Sequence, residues 1–540
     1  MWSAGLSVLL VGACSTGDAE EPEQTSASAV VGTVTPAERL TVVGDADPVG
    51  AAAGASRALF AEAQVAVVAR DGDRAGTLLA ASAAAGLGVP LLLEPAGGGT
   101  DVLAEELDRL GTATVLAVGE ATAEGAGPDV VAVAAAPEAV EGATGLELDG
   151  PEEVAEDGDV AAVAALDPEQ PAALVPEGGR ADGGGGDGRL PEVERAEPLA
   201  DTLVLATGSA ESVAAVATAR AAGAEVVVTG GATDPRGSAE LVELLADRQP
   251  AAVVALGADL AAEEGLDWKL DTAATGAQLP GGGQLLFPGR MLIALYGYPG
   301  SGALGLLGEQ DLPGAIERAR QYAAPYESLV DATVVPSFEI IATVASEFPG
   351  ADGNYSTETD VEVLRPWVEA AGEAGIYVVL DLQPGRTDFV TQAERYRELL
   401  ELPHVGLALD PEWRLGPTEV HLTQIGSVDV EEVNRVVTWL ADLTRDGGLP
   451  QKLLVLHQFR LDMIPGRERL DTSRDELAVL IHADGQGPQG SKQATWQALR
   501  QGAPPVTWGW KNFIDEDQPM LTPEETVAQV DPVPELVSYQ

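Results

Sequence analysis

The sequence predicts an α/β protein: duplicated parallel α/β units in the N-terminal half, then a C-terminal barrel of alternating strands and helices. Three observations predict it. Chemical character changes near residue 266: no Phe, Trp or Tyr occurs between Ala61 and Asp267, the first 268 residues lack Lys, and all four histidines and seven of the eight tryptophans lie beyond. The front half alternates short apolar runs with Ala-rich helical stretches, and that order recurs. The back half holds seven apolar runs, most ending in a polar, reactive residue. An Ala/Gly/Val-rich half packs closely but offers few groups for proton transfer or ring stacking, so the chemistry is expected in the back half.

Length and charge bound the answer. A chain of 540 residues holds about three or four domains of ordinary size. The formal net charge of −56 excludes nucleic acid as a partner, because phosphate binding needs clustered Lys and Arg. It also disfavours adsorption to anionic lipid. Cys14 is the single cysteine, so no intramolecular disulfide can form.

At the N-terminus, the apolar run Leu6–Ala13 ends in Leu10-Val11-Gly12-Ala13-Cys14, followed by a polar, acidic stretch. This pattern resembles a bacterial lipobox. The resemblance implies a signal peptide over 1–14, lipid on Cys14, a tether over 15–37 and an extracytoplasmic, membrane-anchored protein. No later stretch is long and apolar enough to span a bilayer.

The first α/β unit is expected over 38–122. Val65–Ala69 reads as a buried strand and Gly76–Ala85 as a helix stopped by Gly86-Leu87-Gly88. Val89–Leu93 is a second strand, Asp101–Leu110 a helix ended by Gly111, and Thr114–Val118 a third strand. Strands alternating with helices argue for a parallel sheet. The order returns about 137 residues later over 199–265, with strands at 203–206, 223–228 and 251–256 and helices between them. Between the copies, 123–198 contains the apolar run Asp129–Ala136 and the breaker Gly183-Gly184-Gly185-Gly186, read as a flexible link. No Gly-x-Gly-x-x-Gly follows a strand and no Gly-Lys-Ser/Thr occurs, so a nucleotide site is unsupported.

Ser56-Arg57-Ala58-Leu59-Phe60, Val67-Val68-Ala69 with Gly72-Asp73, Leu87-Gly88-Val89-Pro90-Leu91-Leu92-Leu93 and Glu106-Leu107 with Leu110-Gly111 resemble the cell wall-binding repeat 2 family. The resemblance covers about 38–120 and, weakly, 199–260. It implies noncovalent retention on anionic wall polymers.

From residue 285 to 540 the runs Met291–Gly297, Val334–Glu339, Tyr377–Asp381, Gly406–Asp410, Leu453–Gln458, Leu477–Ile481 and Val506–Trp510 read as strands. Helical stretches at Leu312–Ala323, Val361–Ala374, Phe389–Leu400 and Val430–Thr444 separate most of them. Seven such units suggest a TIM-like (β/α) barrel with one strand missing or disguised, in which residues at the C-terminal strand ends converge on one face.

Asp410-Pro411-Glu412 is the sharpest motif. Residues two apart on a strand face the same side, and glycoside hydrolysis needs one protonated and one ionised carboxyl group. Crowding two acids keeps one of them protonated. A sugar-binding or structural role for the pair stays open. Glu339 and Asp381, at the ends of earlier strands, are the next catalytic candidates. His457, His482 and Asp484 are placed to orient the acids or bind hydroxyl groups. Trp413, Trp508, Trp510 and Tyr296 offer flat faces for sugar stacking, and Lys511-Asn512 would add donors. No His-Glu-x-x-His or Gly-x-Ser-x-Gly occurs, and no metal or cofactor is expected. The region as a whole resembles a glycosidase-like module of actinobacterial exported proteins. The expected partner is a cell-wall or extracellular glycan, bound and hydrolysed; the competing reading is a non-catalytic polysaccharide-binding envelope protein.

Overall fold

The computed structural model describes residues 28–98, 101–179 and 188–540. Cys14 with its signal peptide, most of the expected tether and the four-glycine link lie outside the described residues. The chain forms two compact units. One takes residues up to Val228 with Ala252–Ala258; the other takes Thr229–Ala251 and Asp259–Gln540. The second repeat is therefore split, and residues 229–251 belong with the C-terminal unit rather than with a separate domain over 199–265. Among the described residues no helix is long and apolar enough to cross a membrane.

In the N-terminal unit two parallel four-stranded sheets repeat one order. Leu91–Glu94, Val65–Arg70, Thr114–Val118 and Asp129–Val133 are neighbours in that order. Glu225–Val228, Thr202–Ala206 and Ala252–Leu256 match the first three places. The fourth place is filled by Leu40–Val43, which comes from upstream. The expected duplication is present, with the outer strand supplied from opposite chain directions. The expected tether stops short of residue 37, because Ala29–Thr33 is a strand paired with Val193–Glu194 and Phe60–Ala63.

Helix Arg74–Leu87 carries no amphipathic stripe. Asp73 caps it by accepting from Gly76 N, Gly88 ends it at φ +71°, and eleven of its 14 residues are buried. A helix apolar all round must be enclosed, and this one packs against Val213–Ala221, itself almost wholly buried. Two buried polar groups show the pairing that desolvation requires. Thr218 Oγ1 accepts from Leu91 N and donates to Leu91 O, each at 3.0 Å. Fully buried Glu106 accepts from Ser56 Oγ at 2.6 Å, Arg57 Nε at 3.0 Å and Arg109 Nη2 at 2.6 Å. The residues that carried the repeat resemblance thus tie helix Pro48–Leu59 to helix Asp101–Leu110.

The C-terminal unit is built on eight strands: β1 (Arg290–Gly297), β2 (Thr333–Ala345), β3 (Tyr377–Leu382), β4 (Val405–Leu409), β5 (Lys452–Gln458), β6 (Leu477–Ala483), β7 (Thr507–Asn512) and β8 (Leu536–Tyr539). All neighbours are parallel, and β8 pairs with β1, so the barrel is closed. The disguised strand is β8, too short and too near the last residue to stand out as an apolar run. Helices Leu312–Ala323, Val361–Glu373, Val430–Asp446, Gln489–Arg500 and Pro523–Gln529 lie between strands in sequence. The helical stretch after β3 is broken into Phe389–Ala393, a 3-10 turn and Arg397–Leu400. Only two 3-10 turns join β5 to β6.

Alternation along the strands sorts the side chains. Leu292, Ala294, Val335, Val379, Ala408, Val455 and Leu480 fill the interior with Leu279, Leu286 and Phe287. Alternate residues such as Ile293, Phe338, Leu380 and Leu456 share a second core with the helices. Lys269, nearly fully buried, pairs with Glu263 and, at 2.6 Å, with Asp475, which stands just before β6. Trp268 lies between the guanidinium groups of Arg236 (4.5 Å) and Arg445 (4.4 Å). These contacts tie residues 229–251 and 259–286 to the end of the barrel where the strands begin.

Candidate active site

The apolar filling stops about halfway along the barrel. Continuing the same inward alternation, the next positions are Tyr296 on β1, Glu339 and Ile341 on β2, Asp381 on β3, Asp410 after β4, His457 on β5, His482 on β6 with Asp484 beyond it, and Lys511 on β7. A polar cluster therefore caps the apolar plug. Gly509 on β7 makes room for it, since a Cβ there would lie 2.3 Å from His482 Cδ2.

His457 organises the cluster. Its Nε2 lies 2.7 Å from Glu339 Oε1 and its Nδ1 3.0 Å from Asp484 Oδ2. With a carboxylate on each nitrogen both must donate, which is the imidazolium form. Burial opposes that charge, but Glu339 and Asp484 outweigh it and hold His457 well above its ordinary range. Glu339 is correspondingly lowered, with His457 overcoming the effect of burial. Lys511 Nζ reaches Asp484 Oδ1 at 3.2 Å and sits 3.6 Å from the Tyr296 ring centroid. Despite burial, Lys511 and His457 drive the Asp484 carboxyl far below the usual range. His482 is different: burial and the neighbouring imidazolium push it down to about 3, so it is neutral, with Nε2 3.2 Å from Ser538 Oγ.

The remaining carboxyls move the other way. Burial raises Asp381 to about 6, although its Oδ2 accepts from Tyr296 OH at 3.0 Å. Burial and the charge of Glu412 raise Asp410 well above the carboxylate range, and its Oδ1 is buried without a hydrogen-bond partner among the described residues. Burial and then Asp484 raise Glu412 to about 7. One set, Glu339 and Asp484, is ionised against cations; in the other, Asp410 is held neutral and Glu412 exchanges its proton near neutral pH.

Asp484 of the first set and both acids of the second line one cavity of about 680 Å³ at the strand-exit end, together with Tyr296, Gln383, Trp413 and Lys511 among others. Of the residues singled out from sequence, Tyr296, Asp410, Glu412, Trp413 and Asp484 line it, and Glu339, Asp381, His457 and His482 lie directly beneath. Gln383, whose Nε2 donates to Tyr296 OH at 3.3 Å, was not foreseen. It stands one residue past β3, and nothing in its sequence setting marks it out.

Three expectations need correction. Trp508 and Trp510 do share one face of their strand, but it is the outer one. They stack edge-on against Trp496 of helix Gln489–Arg500, each at 5.7 Å, and the intervening Gly509 and Lys511 take the inward positions. Glu339 is not at a strand end: β2 runs on to Ala345, and the charge sits mid-strand, where an apolar-run reading places the terminus. Asp410 and Glu412 share a face through the 3-10 turn Pro411–Trp413 rather than through strand pleating.

Among the described residues no group of three or more His, Cys, Asp and Glu is placed to hold a metal ion. The N-terminal unit has its own cavity of about 360 Å³, lined by Asp71, Arg74, Glu156, Asp159 and Glu211 among others. Its cation is already engaged, with Arg74 Nη2 2.6 Å from Asp159 Oδ1.

No protein-family model matches the chain. No curated protein matches it. Among solved structures the chain is similar to one titled "Cwp6 from Clostridium difficile", at 12% identity and a TM-score of 0.33, over 64% of this chain and 63% of that one.

Proposed function

We propose that this is an exported, lipid-anchored envelope protein whose TIM-like barrel binds and hydrolyses a glycan, with Glu412 as the general acid. The observation that supports it is the opposed protonation of two carboxyls lining one cavity: Glu412 raised to about 7 and Asp484 held ionised by Lys511 and His457. Environments that push two acids apart in this way mark an acid and its ionised partner. Glu412 gives its proton to the bridging oxygen as the C1–O bond breaks and its electron pair leaves on that oxygen. Asp484 faces the positive charge that develops at C1. Water then adds hydroxide to C1, and its remaining proton restores the acid. The stabilising role falls to Asp484 and not to Asp410, because a buried and neutral Asp410 has no charge to offer. Trp413 supplies the apolar face and Lys511 and Gln383 the donors. The lipobox resemblance supports the location, and the repeat resemblance supports retention on wall polymer.

Release of reducing ends from peptidoglycan, chitin-type and neutral polysaccharides tests the reading. Glu412→Gln is nearly isosteric but cannot donate the acidic proton, so kcat falls by at least about 100-fold while substrate binding persists. Wild type that binds one of these polymers and cleaves none is instead a non-catalytic binding protein. Undiminished cleavage by Glu412→Gln moves the acid to Asp381.

A further inference from the structure

Glu412 and Trp413 belong to two cavities at once. Besides the barrel cavity, they line a second one of about 480 Å³ with His421, Leu422, Ile425 and Arg460. Ile425 is also common to both. The second cavity is built by the loop after β4 and by Arg460 beyond β5. Its apolar rim is exposed: Leu422 is 84% and Ile425 42% accessible, in a chain whose large apolar side chains are otherwise mostly buried. Leu422 holds that exposed position at φ +65°, a conformation that bulky side chains rarely adopt. Strain of that kind persists where the surroundings impose it and clusters at ligand clamps. The loop is tied down at His421 and closed on itself at Gln424. His421 Nε2 lies 2.9 Å from Tyr355 O, the His421 ring packs edge-on against Trp413 at 5.4 Å, and Gln424 Nε2 donates to Val420 O at 2.8 Å.

We infer that this second cavity is the leaving-group subsite, holding the sugar on the far side of the bond that Glu412 protonates, so that the substrate spans both cavities and is cut within a chain of at least two sugars. The inference rests on the hydrolytic reading above and assigns its two sides. The ionised carboxylate, Asp484, lines the barrel cavity and not the outer one. The sugar whose C1 becomes cationic must therefore sit in the barrel. The acid stands at the junction, where the bridging oxygen has to be. What remains for the outer cavity is the departing sugar, its C–H faces against Leu422 and Ile425 and its hydroxyls toward Arg460 and the loop backbone. Trp413, common to both, borders the sugars on either side of the bond.

The test compares two substrates built from the polysaccharide that the wild type cleaves: its purified tetrasaccharide, and the fluoride of its own glycone sugar. Fluoride leaves as a single atom and has nothing to place in the outer cavity. Leu422→Asp is suited to the test because the side chain is exposed and its loss removes no core contact; Ile425→Ser is the second variant. The ratio of kcat/KM for tetrasaccharide to that for fluoride falls at least tenfold in each variant if the subsite is as assigned. An unchanged ratio, whether both activities hold or both fall together, overturns the subsite while leaving the hydrolytic reading intact. A wild type that cleaves none of the polysaccharides removes the hydrolytic reading, and a leaving-group site with it.

Discussion

Glu412→Gln has a consequence for stability that needs no substrate. The folded carboxyl titrates near 7 against 4.5 for an ordinary glutamate. Holding that proton up to about 7 corresponds to about 3 kcal/mol, at about 1.36 kcal/mol for each tenfold change in proton affinity. The sign follows from proton counting. Between pH 4.5 and 7 the unfolded glutamate has lost its proton while the folded one keeps it, so raising the pH favours the unfolded chain. This group's contribution is complete below about 4.5 and is lost as pH rises through 7. Glutamine has no proton to lose. The stability of Glu412→Gln relative to wild type therefore rises by about 3 kcal/mol from pH 4.5 to pH 8, and the variant is the more stable protein in mild alkali. Asp381 titrates in both proteins and largely cancels in the difference; Asp410, raised in part by the charge of Glu412, titrates lower in the variant and adds to its advantage in alkali. Urea unfolding followed by tryptophan fluorescence isolates the relevant unit, because seven of the eight tryptophans lie in it. Parallel stability curves for the two proteins across this pH range would refute the burial argument and, with it, the case for Glu412 as a poised acid.

Four further outcomes follow from the geometry. Wild-type kcat/KM declines above pH about 7 as Glu412 loses its proton; Lys511→Met moves the acid limb of the pH profile upward, because Asp484 loses the cation that keeps it ionised. Trp510→Ala costs stability, about 3–5 kcal/mol for a large buried aromatic, and leaves polysaccharide affinity in pull-down unchanged, since the ring packs on Trp496 outside the barrel. A fragment of residues 28–258 melts cooperatively by circular dichroism, whereas one ending at 228 does not, because Leu40–Val43 pairs with Ala252–Leu256 and that strand also completes the sheet beside Thr202–Ala206.

Sequence alone determined much of this protein. Hydrophobic periodicity placed Thr114–Val118 and Leu312–Ala323 to the residue, because a buried parallel strand and an amphipathic helix each impose a period that composition cannot hide. It also brought Tyr296, Glu339, Asp381, Asp410, Glu412, Trp413, His457, His482 and Asp484 into one group, since parallel strands that close on themselves deliver their exit ends to one place. Only the tertiary structure decided which face of β7 looks inward. Trp508 and Trp510 alternate as well as Gly509 and Lys511 do, and the choice depends on Trp496 outside and His482 inside. It also decided which carboxyl carries charge. Asp410, Glu412 and Asp484 are alike as letters; what separates them is the distance of each from Lys511 and His457 and the depth at which it is buried. Those distances are set by pairings between residues more than a hundred positions apart in the chain, such as His457 with Glu339.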